Sequence, residues 1–220
     1  MSESCCHDCH KEPPSGNNAA HWRILWIVLA INAAMFAVEI GAGLAAGSAS
    51  LQADALDFLG DAANYAISLF VVGMALQYRA TAALAKGATM GVFGLWVLSI
   101  TTWHLWHGTM PQALTMGVVG LVALAANAAS FGLLWAYRGG DADMHSAWIC
   151  TRNDVLGNFA VVIAALGVFG TGTGWPDVIV AAIMAVLALQ GSWVVIRKAW
   201  GELRPATRPP LAEETATTQP

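Results

Sequence analysis

Two pairs of side chains stand one helical turn apart in otherwise apolar stretches: Asp57 with Asp61, and Cys150 with Asp154. Residues four apart lie on one face of a helix, one above the other. Two such helices facing each other would turn three carboxylates and one thiol toward a single point. Like charges at this spacing repel, and removal from water makes the repulsion worse. A divalent cation between them removes both objections. Two ligands from each of two helices build the tetrahedral shell that zinc prefers, and in helix bundles such sites form from inward-facing side chains. These residues could also be satisfied core polar groups that tie helices together, but two such pairs in separate helices favour a metal.

The elements that must position them are membrane helices. The chain has 220 residues, of which 57% are hydrophobic and only 11% charged, and a mean hydropathy of +0.57. Soluble domains carry about a quarter charged residues, so most soluble enzymes are excluded. A net charge of −4 offers no basis for nucleic-acid binding. Six apolar stretches, near 22–47, 51–77, 83–105, 113–137, 144–169 and 178–196, are each long enough to cross a bilayer. The breaks between them are short and turn-like: Gly47 to Ser50, Gln77 to Arg79, His107 to Pro111, Arg138 to Asp141, and Gly170 to Pro176. The expected fold is an all-α membrane protein, a six-helix bundle over 22–200 with polar tails at 1–21 and 201–220. Its first apolar run is full length and follows a polar segment, so it is expected to stay in the membrane rather than act as a cleavable signal.

Lys11, Arg23, Arg79, Lys86, Arg138, Arg197, Lys198, Arg204 and Arg208 all fall on the side of the two termini. By the positive-inside rule both termini are then cytoplasmic. Arg152, inside the fifth stretch, is the remaining basic residue. It lies about 200° around the helix from Cys150 and Asp154, which suits an ion pair on another helix, with Glu39 of the first stretch as a candidate. An ionisable group at bilayer depth costs about 2.5–3.5 kcal/mol on insertion scales and is by default a functional hypothesis. That marks Glu39 and Asp54 as well, the latter near the face of Asp57 and suited either to the site's surroundings or to helix packing. Asp177, after Trp175-Pro176, reads as the N-cap of the sixth helix.

Outside the bundle, Cys5, Cys6, His7, Cys9 and His10 contain a Cys-x-x-Cys spacing dense enough to hold a soft ion. His104 and His107, three apart at the far end of the third helix, could receive exported metal, although His and Trp are common at membrane edges. An aromatic belt accounts for most of the ten Trp residues. Gly41-Ala42-Gly43 and Gly87 to Gly91 suggest close helix packing.

The chain resembles the cation diffusion facilitators, metal exporters that exchange a divalent cation for protons. The resemblance rests on Gly47-Ser48, on Ala53-Asp54-Ala55 followed by Asp57 and Asp61, and on Asn153-Asp154-Val155-Leu156-Gly157-Asn158. Asn32, Glu39, Asn127 and Pro176-Asp177 add to it, and it covers about 24 to 200. It implies a transport site at Asp57, Asp61, position 150 and Asp154. Two departures stand out. Position 150 is Cys where the family has His or Asp, and a thiolate favours zinc, cadmium or other thiophilic ions over magnesium, calcium or manganese. The cytoplasmic metal-binding domain that commonly follows the sixth helix is missing, so a homodimer is expected to form through the membrane helices.

Four deprotonated ligands in a dry bundle are untenable without compensation. Some must carry protons when metal is absent, so metal binding releases protons and protonation releases metal. The expected function is divalent-metal efflux in exchange for protons in a bacterial cytoplasmic membrane, with zinc, cadmium or cobalt as cargo and no cofactor. The competing expectation is a soft-metal importer or membrane metal sensor fed by the N-terminal Cys/His cluster. An intramembrane aspartyl protease fits poorly, because its two carboxylates come from separate helices.

Overall fold

The computed structural model describes residues 19–70, 74–135 and 142–203, with side chains at 22–70, 74–75, 77–135 and 154–203. Among these residues it contains six α-helices and no strand: α1 (Ala19–Ala46), α2 (Ala49–Phe70), α3 (Leu76–His107), α4 (Ala113–Trp135), α5 (Ala142–Thr171) and α6 (Trp175–Leu203). Five are long and apolar enough to cross a membrane. The other, α2, has 22 residues and the length to span, but Asp54, Asp57 and Asp61 break its apolar character. The chain is thus a multi-pass membrane protein. The end of the bundle that carries the α1–α2, α3–α4 and α5–α6 connections is called distal below; the opposite end is proximal.

The main departure from the expected boundaries is at the start of α3. The polar run Gln77-Tyr78-Arg79, expected to break the chain, lies instead in the first turn of this 32-residue helix. Polar and amphipathic side chains at a membrane edge keep their heads in the interface without interrupting the helix; Tyr78 is accordingly exposed. Helices α5 and α6 also extend beyond the apolar windows at both ends. The expected distal turns hold. Gly47 and Gly108 adopt φ of 64° and 62°, the left-handed conformation that closes a helix. Behind them Ser48 N–H donates to Gly43 O at 2.9 Å and Thr109 N–H to His104 O at 3.1 Å.

Helix α2 is the centre of the bundle. Leu51 packs with Met116 and Val161 of α4 and α5, Leu56 with Val97 and Ala185 of α3 and α6, and Phe58 with Met35 and Ala123 of α1 and α4. Nearer the proximal end, Tyr65 and Leu69 pack with Leu25, Val28 and Leu134. Its distal half is buried on every side, from Ala49 through Leu56 without a gap, whereas beyond that point Asp57, Leu59, Ala63 and Asn64 are only partly covered.

Helices α3 and α6 pair closely because α3 presents glycine. A Cβ added at Gly87 would lie 2.9 Å from Ile196 Cγ1, at Gly91 2.7 Å from Ser192 Oγ, and at Gly94 3.0 Å from Leu189 Cδ2. The Ser192 hydroxyl donates to Gly87 O at 2.7 Å across this seam. The expected small-residue packing therefore holds at Gly87 and Gly91. It holds also at Gly43, which abuts Gln52, but not at Gly41, which has nothing close.

Candidate metal centre

The expected ligands lie on α2 and α5, which pack against one another. Asp57 and Asp61 share one face of α2, a turn apart. Asp61 and Asp154 are both buried, and their carboxyl groups are within hydrogen-bonding reach across the two helices. Asp57 is partly exposed. The fourth expected ligand, Cys150, is on α5, but its side chain lies outside the described residues. Among the described residues, no three His, Cys, Asp or Glu side chains converge as a cage. What is assembled there is a carboxyl pair across the helices, Asp61 with Asp154, and Asp57 one turn away.

The Asn-Asp-x-x-Gly-Asn segment has a local logic. Asn158 bonds back to Asp154 O through Nδ2 at 2.8 Å, which leaves its buried carbonyl oxygen without a partner among the described residues. Gly157 faces the acidic side of α2: a Cβ there would stand 3.6 Å from Asp57 Oδ2 and 3.8 Å from Asp54 Oδ1. A side chain at this position would fill the space beside both carboxylates.

Toward the distal end, Asp54 faces Glu39 of α1. The two carboxyl groups lie close enough to act on each other. They are 1% and 0% exposed, and neither receives a donor from the described residues. Asn32 and Asn127 also hold buried amide oxygens with no partner among these residues. The bundle interior is thus rich in oxygen acceptors and suited to cations or protons. The expected Arg152–Glu39 ion pair falls on a side chain outside the described residues, as do Cys5, Cys6, His7, Cys9 and His10 in the N-terminal tail.

Asp177 corrects an expectation. Rather than capping its own helix, it caps α2 from across the bundle. Its carboxylate accepts from Ser48 Oγ at 2.7 Å, Ala49 N at 2.9 Å, Ser50 N at 3.0 Å and Ser50 Oγ at 2.6 Å. The first amides of α2 have no intrahelical acceptor, and in this dry position a carboxylate meets that need better than any neutral group.

His104 and His107 part company. His107 is exposed, stacks on Trp103 with ring centroids 3.8 Å apart, and donates from Nδ1 to Trp103 O at 3.0 Å. His104 is buried and lines a cavity of about 40 Å³ with Gly108, Thr109, Gly174 and Trp175.

One cluster escaped the sequence. Lys86, counted there only as a marker of the cytoplasmic side, is partly buried on α3 and donates from Nζ to Asn64 Oδ1 of α2. Its charge acts on Asp61, one turn from Asn64. A lysine ten residues inside an apolar helix was the available signal.

The family model described as the cation efflux transmembrane domain matches residues 25–203. The metal cation efflux system protein CzcD of Cupriavidus metallidurans is 24% identical over 196 residues, which cover 84% of this chain and 61% of that protein. The zinc transporter ZitB of Escherichia coli is 26% identical over 203 residues, 86% of this chain and 64% of its own. A cadmium, cobalt and zinc/H(+)-K(+) antiporter of Bacillus subtilis is 21% identical over 199 residues, covering 82% and 63%. The chain therefore spans less than two thirds of the length of each of these relatives.

Proposed function

The chain belongs to the cation efflux family, and from that premise we propose that it exports a divalent metal cation across a bacterial cytoplasmic membrane, zinc first and cadmium or cobalt as alternatives. The named activities of CzcD, ZitB and the Bacillus antiporter support this cargo. The transport site is Asp57, Asp61, Cys150 and Asp154. The observation that carries it is the meeting of the buried Asp61 and Asp154 carboxyl groups across α2 and α5. Two carboxylates facing each other in a dry interior favour a cation or protons between them.

Exchange for protons follows from the same chemistry. Metal ligation needs deprotonated carboxylates and thiolate, so loading expels protons and protonation expels metal. With the termini cytoplasmic, metal enters from the proximal end, where α2 is only partly covered, and leaves distally after the helices rearrange. The protein is a secondary transporter, not an enzyme, and functions as a homodimer joined through its membrane helices.

The test is proton-driven flux of zinc, cadmium, cobalt, nickel and manganese into or out of proteoliposomes. Asp57→Ala abolishes flux; flux that survives it refutes the site. Flux that ignores an imposed pH gradient refutes the exchange. The mass of the detergent-purified protein checks the dimer.

A further inference from the structure

Lys86 is oddly placed for a residue whose only duty is to mark the cytoplasmic side. It lies ten residues into α3, partly buried, where a lysine would ordinarily extend its stem toward the interface. Instead it turns to α2, and Asn64 holds its ammonium through the amide oxygen. Asn64 is three residues past Asp61 on the proximal side, so the tether sets a fixed positive charge next to one proposed ligand. That charge acts on the Asp61 carboxyl.

We propose that Lys86 is a specificity-determining residue of the metal site: its ammonium, held by Asn64 beside Asp61 at the proximal approach, stands where a monovalent cation would otherwise settle. The proposal rests on the assignment of Asp57, Asp61, Cys150 and Asp154 as the transport site. A tethered ammonium has an effective concentration in the millimolar range or above, and its compact point charge equals that of potassium or sodium. A monovalent ion gains nothing over it in charge and loses hydration in taking its place. A divalent ion gains twice the Coulomb attraction to the carboxylates and adds direct bonds to thiolate and carboxylate ligands. The cost is repulsion between the bound metal and Lys86, so selectivity against abundant monovalent ions is obtained at some loss of metal affinity.

The experiment is zinc flux in proteoliposomes of the full chain, with potassium or choline as the main internal and external cation. Removal of the charge by Lys86→Gln or Lys86→Met lowers KM for zinc by roughly five- to tenfold, the size expected for a partly screened charge, without raising kcat. It also makes flux sensitive to potassium. Lys86→Arg retains the charge and moves both quantities back toward the native values. Asn64→Ala keeps the charge but frees it, and shifts KM the same way by a smaller factor. A merely structural lysine would change kcat and thermal stability and leave the potassium response alone. A KM within twofold of native in both neutral variants, or a potassium response unchanged, overturns the proposal. Asp57→Ala is run alongside. Loss of flux there with native KM in Lys86→Gln rejects the lysine role alone, whereas surviving flux in Asp57→Ala rejects the site and this inference with it.

Discussion

Replacement of Asp177 by Ala tests the way the distal end is held. In the native protein one carboxylate receives four hydrogen bonds, from two hydroxyls and two backbone amides, at 2.6 to 3.0 Å. Asp177, Ser48 and Ser50 are all buried, so water cannot take over. A hydrogen bond to a charged group contributes about 1.5–3 kcal/mol net, and each buried donor left without its acceptor costs about 1–3 kcal/mol, so loss of a carboxylate that serves four of them costs several times the value of a single bond. Had Asp177 capped only its own helix, the loss would be about 1 kcal/mol. The two arrangements therefore differ by more than measurement error. Equilibrium unfolding in mixed micelles, or thermal unfolding in detergent where a chain of this size drops about 2–4 °C per kcal/mol, separates them. The cross-bundle cap predicts a fall of roughly 10 °C and non-additivity with Ser50→Ala, because both changes remove the same contacts. A loss near 1 kcal/mol that simply adds to that of Ser50→Ala would refute the reasoning.

Three further outcomes are expected. Gly91→Leu places a side chain where even a Cβ would stand 2.7 Å from Ser192 Oγ, so it forces α3 from α6 and costs about 2–3 kcal/mol in unfolding; an unchanged melting temperature would show the seam to be loose. Gly157→Ala adds a methyl at ordinary contact distance from Asp57 and Asp54. It retains or slightly raises stability, since alanine suits a helix better by about 1 kcal/mol, while zinc flux falls because the space beside the carboxylates is filled; native flux would remove Gly157 from the site. Cys150→His replaces a soft ligand with a borderline one and lowers cadmium transport relative to zinc, read as the ratio of the two initial rates; an unchanged ratio shows that the thiol does not set selectivity.

The six helices could be read from the chain because bilayer thickness translates directly into runs of apolar residues, and the distal turns because Gly47 and Gly108 announce left-handed closure. The first half of the proposed site was legible for a similar reason: Asp57 and Asp61 are related by helical periodicity, which spacing alone reveals. Where sequence reasoning failed, the relation was through space. The partners of Asp177 lie 127 to 129 positions away, and no local rule links Pro176-Asp177 to Ser48. His104 and His107, about 60° apart around α3, differ in their surroundings, the first buried and the second exposed, which spacing alone does not tell. The start of α3 was missed because polar residues at a membrane edge look the same in a loop as in a first turn.

The grip of Asp177 has a mechanical consequence. It joins α6, and the α3 helix seamed to it by glycine, to the tip of α2 at the distal end, while the Lys86–Asn64 bond links α3 to α2 nearer the proximal end. A rod fastened at its tip can move by turning about the fastening. At 29 residues, α6 is about 43 Å long, so a turn of about 10° about that point would carry its far end by about 7 Å while the fastened end hardly shifts. Displacement is thus greatest at the proximal end, beside Lys86 and the partly covered half of α2. The serines and the aspartate make the distal end an axle, and the small motions possible around it become wide ones where metal would enter.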